Sequence, residues 1–252
     1  MVATTRRTRE AYVGKTGKAE RTRARILETA LDHFSQHGYE GTKMRAIAEA
    51  AGLSLGSTYY YFPSKEHLIQ AFYARSHQHH LAACETILAQ ETRLEDRLLG
   101  VLRAKFDTSR ADHPFAAALF KTAADPASPL SPFSDESEPV RQESTALFAR
   151  VLEGSSISKN SALMAELPNL LWLFQMGVIL FWIHDRSPEQ VRSYKLVEHT
   201  SKIVCKAIRL ASLPPLQPLV RSTLTLMAEL RSGDNATPNL EATHDDIPPS
   251  PR

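Results

Sequence analysis

Apolar positions recur every three or four residues between Lys18 and Arg110, and that stretch shows no convincing period-two alternation. That spacing puts apolar side chains on one face of successive helices and gives strands no support. Ile26, Leu27, Ala30, Leu31 and Phe34 form the first such face, and Gly38 stands where a stop is needed. A short second helix is predicted over 43–51, with Thr42 as its N-cap and Met44, Ile47, Ala48 and Ala51 facing inward. Gly52 ends it. Ser54 caps a third helix that Pro63 terminates, and Ser64 opens a fourth with Leu68, Phe72, Leu81, Cys84 and Leu88 inside. Further helices are predicted over 94–110, 113–124, 139–153, 161–185, 188–212 and 215–231. The stretch "DPASPLSPFSDESEP", 125–139, has four prolines and four serines and reads as a length-tolerant loop or a lid. The expected fold class is therefore all-α.

Three predicted helices fall within residues 20–62, and the second and third are joined by the tight turn Ala51-Gly52-Leu53. This is a helix-turn-helix arrangement, in which the second helix of the pair enters the major groove of DNA. Ala48 is small where the two helices must cross, and Gly52 supplies the positive φ the turn demands. Ser54 caps the third helix and leaves its first amides facing outward. The predicted organisation is a disordered tail at 1–18, a DNA-binding domain at 19–66, a larger helical domain at 67–232 and a second disordered tail at 233–252. Both tails are polar and lack apolar periodicity.

Charge supports an anionic partner at this end. The 252 residues carry a formal net charge of only +2, but residues 1–65 hold 11 Lys and Arg against 6 Asp and Glu, and the remainder holds 19 against 22. The basic leader (Arg6, Arg7, Arg9, Lys15, Lys18, Arg21, Arg23, Arg25) reads either as a solvated segment or as an arm adding salt-dependent affinity. Two distant cysteines, Cys84 and Cys205, make no disulfide framework, and the N-terminus has no apolar signal core, so a cytoplasmic protein is expected. "LLWLFQMGVILFWI", 170–183, is 14 residues long, short of the ~20 a bilayer span needs, and is expected to be a buried core helix with no membrane partner.

The segment "TKMRAIAEAAGLSLGSTYYYFPSKEHLI" resembles the DNA-binding region of the TetR-type (tetracycline-repressor-like) bacterial regulators. Thr42, Ile47, Ala48, Ala51, Gly52, Ser54, Gly56, Tyr59, Phe62 and Lys65 stand in register, and the likeness covers about residues 20–70. Two positions depart from the family's pattern. Thr58 replaces a leucine, so its hydroxyl needs a partner, and Leu55 replaces a common cation, so it either meets a thymine methyl or packs.

The resemblance implies site residues. Thr42 and Arg45 would reach phosphates, with Arg45 also in range of a base. Ser54, Leu55, Gly56 and Ser57 would lie at the groove, Gly56 because no side chain fits there. Tyr59, Tyr60 and Tyr61 would supply hydroxyls and ring edges, and Lys65 would clamp a phosphate. Three consecutive tyrosines cannot share one face, because a helix turns about 100° per residue. The implied partner is a double-stranded DNA operator, palindromic and read by a homodimer.

For the larger domain the resemblance implies a small-molecule effector and a dimer two-fold. Trp172, Phe174, Gln175, Met176, Val178, Ile179, Phe181 and Trp182 surround their helix, which must be buried on all sides. Phe72, Phe106, Phe115, Leu119, Phe120, Trp172, Gln175, Met176 and Ile179 are expected either to line an apolar effector cavity with one polar contact or to be ordinary core. Phe181, Trp182, Val191, Tyr194, Ile203 and Ile208 are the expected dimer interface. Effector binding would act as a population shift toward a head spacing that does not fit the operator. The sequence has no Gly-rich phosphate loop, G-x-S-x-G or H-E-x-x-H, so neither an enzyme nor a cofactor is expected. His77, His79 and His80, like His33 and His37, are expected on solvated faces without metal. A purely structural helix-turn-helix in a scaffold protein and a DNA-binding regulator with no ligand are the competing readings.

Overall fold

The computed structural model describes residues 3–155, 162–211, 213–216, 218–222 and 225. Most of those residues are helical, with no strand among them. The helices are α1 (Ala3–Gly41), α2 (Met44–Ala50), α3 (Leu55–Tyr61), α4 (Lys65–Gln90), α5 (Leu94–Ser109), α6 (His113–Ala123), α7 (Glu138–Glu153), α8 (Ala162–His184) and α9 (Val191–Ala211). The tail expected at 233–252 lies outside the described residues, as does most of the helix expected over 215–231.

At the other end, α1 already begins at Ala3, where a disordered leader was expected through residue 18. The packed face from Ile26 to Phe34 supplies the nucleus from which the helix extends upstream. Gly38 breaks the helical path with φ 74° and ψ 165°, the stop its position predicts.

Two apolar cores divide the molecule. The first joins Ile26, Leu27, Phe34, Ile47 and Phe62 to Leu68, Ile69 and Phe72 of α4, and also to Phe115 and Leu119 of α6. Phe115 meets Phe72 edge-on at 4.9 Å and stacks on Phe34 at 6.0 Å. The second core gathers the far half of α4 with α5, α7, α8 and α9. Thus α4 runs through both, and α6 docks on the head. The 125–137 segment is packed rather than free to lift as a lid. Leu130 is buried in the first core, Gln70 Nε2 donates to Pro129 O at 2.8 Å, Tyr73 Oη donates to Leu130 O at 3.1 Å, and Arg141 holds Pro132 O and Ser134 O.

The turn between α8 and α9 is organised by a buried carboxylate. Asp185 Oδ1 accepts from the backbone and hydroxyl of Ser187, and Oδ2 from the backbone and hydroxyl of Ser193. Burial raises this carboxyl's pKa, and the four hydrogen bonds overcome that and bring it down to about 2. Asp185→Asn is expected to lose about 2 kcal/mol at neutral pH, since an amide cannot accept at both ends. A depressed pKa gives stability that is complete above the unfolded value of about 3.9 and is lost as pH falls through the folded value. The gap in urea midpoint between wild type and variant should therefore close between pH 4 and pH 2.

Candidate nucleic-acid interface

Helix α2 ends in a Schellman turn. Leu53 N–H donates to Ala48 O at 2.9 Å, Gly52 N–H donates to Glu49 O at 3.0 Å, and Gly52 takes φ 65°. Ala48 is buried at the crossing of α2 and α3, as its size requires. Helix α3 starts on Ser54, whose Oγ accepts from Ser57 N–H at 3.1 Å. Thr58 is wholly buried, and its hydroxyl donates to Ser54 O at 3.2 Å. The polar atom that replaces a leucine is thereby satisfied within the same helix.

The tyrosines divide as helical geometry requires. Tyr60 is 83% exposed and Tyr59 44%, while Tyr61 turns toward the head core and offers its ring to Tyr60 edge-on at 5.3 Å. Arg45, Ser54 and Gly56 are exposed, with Leu55 and Ser57 partly so, and a methyl at Gly56 would meet nothing within 4 Å. Arg45, Gly56, Tyr59 and Tyr60 thus stand open to solvent.

Two expected contacts sit differently. Thr42 neither caps α2 nor stands free for a phosphate. It is buried, and its hydroxyl donates to Gly38 O at 2.8 Å and lies 3.1 Å from His33 O, closing the end of α1. Glycine at 38 frees that carbonyl from the helix ladder, and threonine four residues on is the nearest donor. Lys65 also has a partner already. Its Nζ donates to Tyr39 O at 2.8 Å and lies 4.3 Å from the centre of the Tyr39 ring. Tyr39 Oη in turn donates to Glu66 Oε1 at 2.6 Å. Burial pushes the Glu66 carboxyl up, but hydrogen bonds from Ser64, Tyr39 and its own backbone, with the Lys65 charge, bring it below its usual range. Tyr39 and Glu66 were missed because their partners lie 26 and 27 residues apart in sequence.

In the larger domain the nine expected cavity residues do not form one wall. Phe72, Phe115 and Leu119 belong to the first core, and Phe106 and Trp172 to the second. Phe120 is partly buried against His184 at 5.3 Å, Met176 and Ile179 are partly buried, and Gln175 is buried with Oε1 lacking a hydrogen-bond partner. Of the expected dimer residues, Trp182 and Ile208 are buried inside the subunit, Trp182 stacking on Phe106 at 5.8 Å. Tyr194 is held by Asp107 and Arg110. Phe181, Val191 and Ile203 are exposed, and Leu173, Leu180 and Leu210 join them as exposed apolar residues. Helix α8 is therefore not buried on all sides in one subunit. His77 and His80 are buried rather than solvated, while His79 is exposed.

The two short crossed helices, the capped and outward-facing α3, and the all-helical domain behind them make up a helix-turn-helix head on a helical body. The sequence model for "Bacterial regulatory proteins, tetR family" matches residues 26–72, and that for "Tetracyclin repressor-like, C-terminal domain" matches 97–226, half of the chain. The chain belongs to the TetR family. It is 37% identical over 115 residues to the transcriptional regulator RutR of Escherichia coli K12, covering 44% of this chain and 53% of RutR. It is 47% identical over 60 residues to the transcriptional repressor KstR of Mycolicibacterium smegmatis, covering 24% of this chain and 29% of KstR. The chain thus spans about half or less of the length of these relatives. Among solved structures, a putative TetR-family regulator from Syntrophomonas wolfei superposes with TM-score 0.61 at 16% identity, over 74% of this chain and 95% of that one. FadR of Bacillus subtilis, solved in complex with stearoyl-CoA, gives 0.57 at 15% identity, over 71% and 96%. These last two likenesses concern the fold.

Proposed function

We propose that the chain is a ligand-responsive repressor that binds a palindromic operator as a homodimer and is released by a small apolar or amphipathic effector. The observation that carries the DNA half of this reading is α3 itself. Its buried residue, Thr58, faces the head, while Tyr59 and Tyr60 are exposed. Arg45 on α2 supplies charge beside them, and Lys65 follows once its bond to the Tyr39 carbonyl is exchanged for a phosphate.

The homodimer is supported by the apolar face that one subunit leaves open. Leu173, Leu180 and Phe181 of α8 recur at the spacing of one helix side, and Ile203 and Leu210 of α9 do the same. Ile203 is 64% exposed. Exposed apolar helix faces of this kind are what a two-fold helical interface covers, and two α3 helices about one DNA turn apart would then read successive half-sites. The regulator is proposed to act in the cytoplasm.

Fluorescence polarisation on the DNA flanking its own gene, across a salt titration, tests the reading. Log affinity should fall linearly with log salt, with a slope of about −0.9 for each phosphate contacted. Ile203→Glu and Leu180→Glu together should shift sedimentation from dimer to monomer. They should also weaken operator binding by well over tenfold, since one head alone keeps only half of the contacts. Salt-independent binding, or a dimer that survives both glutamates, would overturn this reading. A regulator without effector is the second reading, favoured by the placing of Phe72, Phe115 and Leu119 in one core and of Phe106 and Trp172 in the other.

A further inference from the structure

The interior between α4, α5 and α7 holds polar groups that no part of the DNA-binding reading uses. Ser76, His77 and His80 of α4 are buried there, facing Lys105 and Ser109 of α5 and Ser144 of α7. His80 Nε2 lies 2.9 Å from Val101 O, and His77 Nδ1 lies 3.4 Å from Ser144 Oγ. Glu143, on the exposed rim, brings Oε2 to 3.2 Å from His77 Nε2, yet that nitrogen has no aligned hydrogen-bond partner. Burial lowers both imidazole pKa values, that of His80 to about 3, so His80 stays neutral.

Lys105 is the unusual member. Its Nζ donates to Ser76 Oγ at 3.3 Å, and Ser76 Oγ in turn lies 3.5 Å from Ser109 Oγ. No ion pair among the described residues includes it. The residue keeps partial exposure, but the ammonium is withdrawn far enough that burial brings its pKa down to about 8, with Asp112 acting on it only at a distance. A cation held this way, with one long bond to a hydroxyl, costs folding free energy. Perturbed ionisable groups of this kind cluster where ligands bind. One turn away begins the apolar core, with Cys84, Val101, Leu102 and Leu147.

We propose that Lys105, with the hydroxyls of Ser76 and Ser109, anchors the carboxylate of a monoanionic organic effector whose apolar body enters the core between α4, α5 and α7. One ammonium flanked by hydroxyls and neutral imidazoles matches a single negative charge. A phosphate would bring more charge than one lysine neutralises. Ser76 and His77 lie on α4, the helix that starts at Lys65 beneath the head, so a ligand drawing on them acts on the element that carries α3. This inference rests on the ligand-responsive reading and adds the chemical class of the effector.

The test uses the full chain and Lys105→Met, with Lys105→Gln as a second variant. Melting is followed without ligand, then with butyrate, octanoate, benzoate and phenylacetate, each against its primary amide and against sodium chloride at matched ionic strength. Without ligand, Lys105→Met should melt at the wild-type temperature or above, because it removes an uncompensated cation. A clear drop in both variants would mark the lysine as structural and overturn the proposal. With ligand, at least one carboxylate should raise the wild-type melting temperature and weaken operator binding where its amide does not. That response should weaken tenfold or more in both variants. If amides act as well as acids, or the variants respond like wild type, the anion inference falls and the ligand-responsive reading stands. If no compound moves either melting or operator affinity, the anion inference falls.

Discussion

Arg97→Met is expected to lower the free energy of unfolding by about 3 kcal/mol and the melting temperature by roughly 6–12 °C. Arg97 is 4% exposed, and its guanidinium gives every hydrogen bond to main-chain oxygen. Nη1 donates to Leu88 O at 2.7 Å and Glu91 O at 2.6 Å, at the end of α4. Nε donates to Val151 O at 2.9 Å and Nη2 to Arg150 O at 2.7 Å, near the end of α7. The last carbonyls of a helix have no partner in their own ladder and carry the negative end of its dipole. One buried cation thus closes two helix ends and ties both to α5. Methionine fills much of the volume but removes the donor from Leu88 O, Glu91 O and Val151 O, and leaves Arg150 O with only Gly154 N–H at 3.2 Å.

The loss stays near 3 kcal/mol, not the larger sum of four bonds. The groove of about 440 Å³ lined by Arg97, Arg150 and Gly154 lets water reach part of the site. Arg97→Lys should recover only part of the loss, since an ammonium has three donors and no planar fork. Gly154→Ala should mimic a milder form, because an added Cβ would collide with Arg97 Nη2. Urea unfolding of the three variants measures the order Met, Lys, Ala. An Arg97→Met protein of wild-type stability would show that the guanidinium is dispensable.

These contacts also mark where the sequence stops being readable. Apolar spacing located α5, α6, α7 and α8 within about two residues at each end, because each helix writes its own period into the chain. The turn at Gly52 and the cap at Ser54 were readable for the same local reason. Arg97 carries no such signal, since its acceptors on α7 lie 53 and 54 residues away. His77 and His80 looked like residues of a solvated face because their burial depends on α5 and α7 arriving there. Helix α8 was legible as a helix but not in its rotation. With apolar residues on every side, periodicity does not distinguish Trp182, which faces inward, from Phe181, which faces out. The residues named for a cavity were no easier to sort: aromatic residues at helical spacing occur in any core, and Phe72 and Phe115 lie in one while Phe106 and Trp172 lie in the other.

Tyr60→Ala is expected to weaken operator binding about tenfold per half-site, hence about a hundredfold for a dimer on a palindrome, with no change in melting temperature. The two halves of that expectation have one source. A ring that is 83% exposed contributes little to folding, so whatever it contributes must appear in binding. Tyr61→Ala should do the reverse and cost stability first, because that ring packs on the head core. Lys65→Ala is a poorer probe of DNA contact than its register suggests. It removes the bond to Tyr39 O that ties α4 to the end of α1, so affinity and melting temperature should fall together. Tyr60→Phe then separates two modes of contact. If the hydroxyl binds phosphate, phenylalanine should lose most of what alanine loses; if the ring edge packs on bases, it should lose little. Either way the salt slope should stay at its wild-type value, since tyrosine displaces no counterion. Arg45→Gln should reduce the slope by about 0.9 per half-site. A Tyr60→Ala protein that binds operator as tightly as wild type at low salt would remove α3 from the DNA interface.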